Sequence, residues 1–194
     1  MKKMMFSILA VIMIIAITAC TDNKSSVSLE EVQRIAEKEI PTINLMLGWN
    51  WDANNLPEQD FLIASAQHLY NRDNGQELPK VDVDEDKYGV NEGIKIDILI
   101  PAITKYYPFS EEMLRNSFES GSRYDTHTDA VVLVDGIGVR EVAVMHDITD
   151  NQDGTYDVSY GLYTPQNILE CTGVVKVKVH PDGYMQFLSN IVND

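Results

Sequence analysis

The sequence predicts an α+β domain in which N-terminal helices pack on one face of a C-terminal antiparallel β-meander of about five strands. Two observations support this prediction. Before residue 120, apolar residues recur at helical spacing. From residue 130 onward, stretches rich in Val, Ile and Tyr follow one another across short turns. Short connections favour strands that pair with their neighbours in sequence.

The first 19 residues predict a secretory signal peptide. Lys2 and Lys3 precede an apolar stretch from Met4 to Ala19, and no further charge occurs before Asp22. This stretch is shorter than the roughly 20 residues that a membrane-spanning helix needs. We therefore divide the chain into a signal peptide (1–19), a lipid anchor and tether (20–28) and a single α+β domain (29–194).

The signal ends in Ile17-Thr18-Ala19-Cys20, which resembles the lipobox of bacterial lipoproteins, where a small residue precedes a cysteine. The resemblance covers the first 20 residues. It implies a diacylglyceryl group on the Cys20 sulfur, cleavage before Cys20 and fatty acylation of the new amino terminus. It also implies a cell membrane location, lipid-anchored on the extracytoplasmic side. The alternative is an ordinary signal peptide with a chance cysteine.

The charge of the chain bears on its partners. Removing residues 1–19 takes away two lysines and no acids, so the formal net charge changes from −15 to −17. Such a surface repels nucleic acid and anionic lipid headgroups, so we predict no nucleic-acid partner and membrane attachment through lipid alone. The polar tether from Thr21 to Ser28 reaches at most about 28 Å, which keeps the domain near the bilayer.

Helical signals begin at Ser28, where Ser28 and Glu31 have the spacing of a capping box. The helix that follows has one apolar stripe and is interrupted at Pro41. A second helix runs to about Tyr70, and the residues from Ile94 to Ile103 suit a strand leading into a short helix. The stripe of the first helix consists of Leu29, Val32, Ile35, Ala36 and Ile40.

The meander is predicted from turns and alternation. Asp153-Gly154 and Pro181-Asp182-Gly183 are typical of tight turns, and a third reversal is expected at 135–138. The strands are then predicted at about 130–135, 139–149, 155–163, 170–180 and 184–192. Val175 and Val177 alternate with Lys176 and Lys178, so one sheet face is buried and the other faces solvent.

Trp49 and Trp51 are the two tryptophans of the chain. Paired indoles could form a stacking platform for a sugar ring or a protein partner. The alternative is that they clamp the junction between two helices onto the sheet, because tryptophans are usually largely buried.

His146-Asp147 is the one adjacent acid–base pair, and neighbouring strand residues point to opposite faces and cannot orient one another. His146 is instead in phase with Val142, Val144 and Ile148. We predict a partly buried, hydrogen-bonded histidine. The alternative is an acid or ligand in a pocket that Tyr160 or Tyr163 also lines.

The sequence predicts no cofactor, metal or catalytic residue. Asp82 begins an EF-hand-like spacing, but Lys87 stands where glycine is required and Gly93 where glutamate is required. With Cys20 lipidated, we expect no intramolecular disulfide, and Cys171 is expected to be a small buried residue; a catalytic cysteine is the alternative. Metalloprotease, CxxC, phosphate-loop and serine-hydrolase motifs are absent.

The order of elements over residues 28–192 resembles the nuclear-transport-factor-2-like (NTF2-like) and cystatin-like folds. That resemblance implies a cavity between sheet and helices, which binds small apolar ligands or performs acid–base chemistry. We predict a membrane-anchored envelope lipoprotein whose non-catalytic domain binds an unknown protein or wall component. The alternative is a small-ligand pocket protein, possibly an acid–base enzyme. A filled core with exposed aromatics near Trp49 favours the first, and a cavity lined by His146, Tyr160 or Tyr163 favours the second.

Overall fold

The computed structural model describes residues 27–133 and 141–193. Its helices are α1 (Leu29–Glu39), α2 (Asn44–Leu47), α3 (Gln59–Asn74), α4 (Glu85–Tyr88), α5 (Ile96–Tyr106) and α6 (Glu111–Ser120), and a 3-10 helix, Ile40–Ile43, joins α1 to α2. Its strands are β1 (Val81–Asp82), β2 (Glu92–Lys95), β3 (Tyr124–Asp125), β4 (Ala130–Val132), β5 (Val142–Asp150), β6 (Tyr156–Tyr163), β7 (Leu169–Val179) and β8 (Met185–Asn193). The predicted α+β class is confirmed.

The strands form two antiparallel sheets rather than one meander of about five strands. The small sheet has the order β1-β2-β4-β3, and the C-terminal sheet has the order β5-β6-β7-β8. The strand predicted at 130–135 corresponds to β4, which pairs with β2 through Ile94 and Val131. Residues 130–132 are all buried, so they suit the interior of a sheet covered on both faces. The predicted reversal at 135–138 lies outside the described residues.

The C-terminal sheet is the predicted meander, and its four strands begin and end within a few residues of the predicted bounds. The hairpin between β5 and β6 contains Gly154 at φ 86°, a left-handed conformation that favours glycine. Asn151 N donates to Thr155 O across this loop at 3.1 Å. The turn between β7 and β8 places Gly183 at φ 82°, and Gly183 N donates to His180 O at 2.9 Å.

Helix α1 begins as predicted. Ser28 Oγ accepts from Glu31 N at 3.2 Å, while the Glu31 carboxylate binds Arg34 rather than the serine amide. The predicted stripe is buried except for Leu29, which is 50% exposed. Pro41 ends α1 and lies in the 3-10 helix that follows, because its ring cannot continue the α-helical hydrogen-bond pattern.

The core lies between the helices and one face of the C-terminal sheet, which we call the inner face. Val175 and Val177 point into it and are fully buried, as predicted, together with Val158, Tyr160 and Phe187. The opposite face carries Lys176 and Lys178, and we call it the outer face. Within residues 27–133 and 141–193, no helix has the length and apolar character needed to cross a membrane.

Candidate functional site

The two tryptophans have different environments. Trp51 is 2% exposed, its ring meets that of Tyr107 edge-on at 5.6 Å, and its Nε1 donates to Met46 O at 3.0 Å. Trp49 is 39% exposed and packs at 5.4 Å against Phe61. The indoles therefore do not form one exposed platform. Trp51 joins the segment after α2 to the core, and Trp49 alone is accessible.

Asn190 on β8 organises the segment that carries both tryptophans. Its Nδ2 donates to Leu47 O at 3.0 Å and to Trp49 O at 2.8 Å. Its backbone pairs with Trp51 in both directions, at 2.8 and 3.1 Å. Asn190 is 1% exposed, so these bonds satisfy buried carbonyl groups that would otherwise be costly to leave unpaired.

Tyr160 completes this buried network. Its Oη lies 2.5 Å from Leu47 O and 2.9 Å from Asn190 Oδ1. Gly173, opposite Tyr160 on β7, leaves room for the phenol, because a Cβ there would lie 2.2 Å from Tyr160 Oη. Burial raises the pKa of Tyr160 above its usual range, so the phenol stays protonated and can donate. Tyr160 thus lies buried between the sheet and the end of α2.

His146 lies on the outer face, at a β-bulge. Met145 pairs with Tyr160 and Asp147 with Ser159, so His146 is the extra residue between them. Met145 and Ile148 flank the bulge and pack against the core, whereas His146 and Asp147 are exposed. His146 is exposed rather than partly buried and is out of phase with Ile148, because a bulge reverses the alternation after it, whereas the predicted hydrogen bond of its side chain is present.

Tyr163 is the partner of His146. Its Oη lies 3.1 Å from His146 Nε2, and the two rings meet edge-on with centroids 6.2 Å apart. Both rings cover Gly161, where a Cβ would lie 2.8 Å from the Tyr163 ring and 2.9 Å from the His146 ring. His146 and Tyr163 are therefore on the outer face and Tyr160 is on the inner face, so the three side chains do not line one pocket.

The outer face exposes large apolar side chains. Seven large hydrophobic residues are exposed in the described part of the chain, and five of them lie on this face or in the turn that leads into β7. Single exposed apolar residues are ordinary, but a contiguous group marks an interaction surface. The five are Val142, Val144, Ile168, Leu169 and Ile191, with exposures between 44% and 62%.

The strand register shows how the members of this group are placed relative to one another. Val142 pairs with Tyr163, and Tyr163 pairs with Leu169 on the next strand. Two rows further along, Val174 pairs with Ile191. Residues opposite one another on adjacent strands are neighbours on the same face. Val142, Tyr163 and Leu169 thus form one apolar row with Val144 beside it, whereas Ile191 lies two rows away, in the row of Asp147, Ser159 and Val174.

Charged side chains occupy the other end of the outer face. Asp157 on β6 pairs with Lys176 on β7, and Lys176 Nζ lies 3.9 Å from Asp157 Oδ1. The regularly paired positions of this face carry two acids, Asp147 and Asp157, and two bases, Lys176 and Lys178. These paired positions are balanced in charge within a chain of net charge −15, and Glu170, exposed at the bulge in β7, adds one acid.

A second group of titratable side chains links the helices to the turn between β7 and β8. Asp73 accepts from Tyr106 Oη at 2.5 Å and from Lys105 Nζ at 2.9 Å. Although partial burial opposes it, hydrogen bonds from Tyr106, Lys105 and Arg72 lower the pKa of Asp73 to about 2. Burial and the bond to Asp73 raise the pKa of Tyr106 to about 12. These groups satisfy one another.

We call Asp73 and its partners Arg72, Lys105 and Tyr106 the Asp73 cluster. The cluster contacts α1 as well as the turn between β7 and β8. Arg72 also pairs with the buried carboxylate of Glu39 at the end of α1. The centres of the Tyr106 and Tyr184 rings lie 5.8 Å apart, and Tyr184 belongs to the turn. Lys105 Nζ lies 5.7 Å from the centre of the Tyr184 ring. The cluster therefore ties α1, α3 and α5 to the β7–β8 hairpin.

The remaining predicted sites have local explanations. Asp84 caps α4, where its Oδ1 accepts from Asp86 N at 3.1 Å and from Lys87 N at 3.3 Å. Across residues 27–133 and 141–193, no cluster of His, Cys, Asp or Glu is arranged to hold a metal ion. Cys171 is half-buried and packs against the core. Cys20 lies outside the described residues.

Sequence reasoning missed two features. The first is the exposed apolar group on the outer face, because Val142 to Met145 are all apolar and either phase of alternation fits them. Only the adjacent apolar residues Ile168 and Leu169 indicated this group in the sequence, because neighbouring residues of a strand point to opposite faces. The second is Asn190, a single asparagine in a strand whose buried partners are remote in sequence, at Leu47 and Trp49.

Comparison with protein-family models, with curated proteins and with solved structures found no match for this chain.

Proposed function

We propose that the chain is a lipid-anchored protein of the bacterial cell envelope whose folded domain binds another protein through the outer face of its C-terminal sheet. One observation carries the binding role: five of the seven exposed large hydrophobic residues in the described ranges lie on or beside this one face. A stable fold gains nothing from exposing them, whereas a protein partner would remove them from water.

The shape of the outer face favours a protein over a small molecule. Small-ligand sites are concave and enclose most of the ligand, whereas this surface is the open side of a four-stranded sheet. The small-ligand alternative would be favoured by a cavity lined by His146, Tyr160 or Tyr163. Tyr160 is buried on the inner face and His146 is exposed on the outer face, so we do not adopt that alternative.

The anchor rests on the lipobox-like Ile17-Thr18-Ala19-Cys20. To test it, cells expressing the wild type or Cys20→Ser are labelled with a fatty-acid analogue and fractionated. We expect label on the wild type in the membrane fraction and none on the variant, which should retain its signal segment. Equal labelling of the two proteins would contradict the anchor.

The binding role is tested with a photo-crosslinking amino acid at Ile191 or Val144 in the full chain in cells. We expect both positions, 61% and 44% exposed, to give crosslinks to protein. Leu29, 50% exposed on α1, is the matched control and should give none. Crosslinks at Leu29 alone would contradict the assignment of the outer face.

A further inference from the structure

We infer that the partner of the outer face is a second copy of this chain, packed face to face about a two-fold axis that runs between β6 and β7 and parallel to them. This inference rests on the proposed function, whose binding surface it uses. Three properties of the outer face support it: the placement of its charges, the distribution of its apolar rows, and the end of the sheet at which the tether emerges.

The charges of the outer face are complementary to themselves. A two-fold axis between β6 and β7 lays β6 of one copy over β7 of the other. Each β6 residue then faces, in the other copy, the same β7 residue with which it pairs within its own sheet. Asp157 of one copy then faces Lys176 of the other, because these two residues are register partners. A surface that brings opposite charges together under a two-fold operation is suited to an isologous dimer.

The apolar rows select the direction of the axis. An axis parallel to the strands keeps the apolar end of one copy over the apolar end of the other, so Tyr163 faces Leu169. An axis perpendicular to the strands would instead lay the apolar row of Tyr163 over the charged row of Asp157. That arrangement would bury unpaired charge against apolar groups, which is costly. The parallel axis avoids this cost at the Asp157 row, while at the edges of the sheet Asp147 of one copy faces Ile191 of the other.

The tether supports the same direction. The described chain begins at Val27, whose carbonyl accepts from Tyr156 Oη at 3.3 Å, and Tyr156 begins β6. An axis parallel to β6 places Val27 of both copies at the same end of the dimer. Both chains can then be anchored in one membrane through Cys20, seven residues before Val27. The perpendicular axis would direct the two tethers to opposite ends.

The net charge of the chain also favours this face. Two copies with a formal charge of −15 repel one another over most of their surfaces. The outer face is less acidic, since Lys176 and Lys178 offset Asp147 and Asp157 and leave Glu170, exposed at the bulge in β7, as its further acid. Contact through it therefore meets less repulsion than contact through an acidic surface.

The size of the outer face indicates how tight the dimer is. Four strands of about nine residues cover about 20 Å by about 30 Å, or about 600 Å² per copy. A standard stable interface buries about 800 Å² per partner. The contact is therefore weak between free copies. Anchoring both copies in one membrane raises their effective concentration and favours it.

The experiment uses two differently tagged full chains, co-expressed and recovered from membranes in mild detergent. We expect the wild-type copies to co-purify. In two further experiments, both tagged chains carry the same substitution, either Asp157→Lys or Lys176→Asp. We expect each to reduce co-purification at least about tenfold, because each places like charges face to face. Co-expressing Asp157→Lys with Lys176→Asp should restore it, since every facing pair is then opposite in charge.

The mixed pair separates association from folding. Both single variants lose the Asp157–Lys176 pair within their own sheet, so a folding defect cannot explain restoration in the mixture. Leu29→Lys, on the distant α1, is the control and should co-purify like the wild type. Failure of the wild-type copies to co-purify, or of the mixed pair to recover, would overturn the inference.

Crosslinking at Ile191 separates this inference from the proposed function. Crosslinks between two copies of the chain support both. Crosslinks only to a different protein overturn the dimer and leave the proposed function standing. The absence of any protein crosslink at Ile191 and Val144 overturns both.

Discussion

The inner face of the C-terminal sheet is packed and hydrogen-bonded, whereas the outer face exposes its largest apolar side chains. On the inner face, Tyr160 and Asn190 are buried and bind carbonyl groups of the segment after α2. On the outer face, Ile191, the next residue after Asn190, is 61% exposed. Adjacent residues of one strand therefore serve different purposes: one fixes the fold, and the other is available to a partner.

This difference teaches where substitutions will act. Inner-face residues contribute to stability through buried contacts and paired polar atoms, so their replacement should unfold the domain. Outer-face residues have little to lose on substitution because they are already in contact with water. The predictions below test this distinction, beginning with the largest expected effect.

Gly173→Ala should destabilise the domain most. The new Cβ would lie 2.2 Å from Tyr160 Oη and 2.8 Å from Ile191 O, so the phenol must leave its buried hydrogen bonds. We expect a loss of about 3 kcal/mol in the free energy of unfolding, measured by urea denaturation. Gly48→Ala is the control, because its Cβ meets nothing closer than Leu162 Cδ1 at 4.0 Å. Equal stability of Gly173→Ala and the wild type would contradict the packing of Tyr160.

Asn190→Ala should cost about 2–3 kcal/mol, because it removes a buried amide that donates to two carbonyl groups, although Tyr160 Oη remains as a donor to Leu47 O. Leu47 O and Trp49 O both lose a donor, and Trp49 should become more mobile. Urea denaturation followed by tryptophan fluorescence measures both effects. Asn193→Ala, at the exposed end of the same strand, should change stability by less than about 0.5 kcal/mol. Similar losses in the two variants would contradict the role of Asn190.

The Asp73 cluster, which ties the helices to the β7–β8 hairpin, should make stability depend on acid pH. The folded pKa of Asp73, about 2, lies below the ordinary aspartate value of 3.8, so the carboxylate stabilises the fold above the unfolded pKa. That stabilisation is lost as the pH falls from about 4 to about 2. Allowing for solvent screening, we expect a loss on the order of 1 kcal/mol.

Comparing Asp73→Asn with the wild type isolates this contribution, because the amide does not titrate. The difference in unfolding free energy between the two proteins should shrink as the pH falls from 4 to 2, as measured by thermal denaturation at each pH. A difference that stays constant over this range would show that Asp73 does not have a lowered pKa in the folded protein.

Ile191→Thr should have the smallest effect on stability, within about 0.5 kcal/mol, because the side chain is 61% exposed. Val177→Thr is the matched inner-face variant; it places a hydroxyl at a fully buried position and should cost about 1–3 kcal/mol. Thermal denaturation measures both. A large loss for Ile191→Thr would show that the outer face is part of the core.

The sequence by itself determined the local structure. The alternation of Val175 and Val177 with lysines predicted the two sheet faces, Asp153-Gly154 and Pro181-Asp182-Gly183 predicted the two turns, and Ser28 predicted the start of α1. These features depend on backbone preferences and on the two-residue repeat of a strand, which short stretches specify. The predicted anchor at Cys20 also rests on a short stretch and stays a prediction.

Tertiary structure alone decided which residues meet. Asn190 and Leu47 are 143 positions apart, and no local pattern links an asparagine in a strand to a carbonyl at the end of a helix. The bulge at His146 depends on how β5 packs against the helices while pairing with β6. It reverses the sheet face of every later residue in β5. Likewise, β4 belongs to the small sheet through its pairing with β2, in which Val131 lies opposite Ile94. Strand pairing and buried hydrogen bonds are long-range contacts, so the chain must fold before the inner face, the outer face and the site are defined.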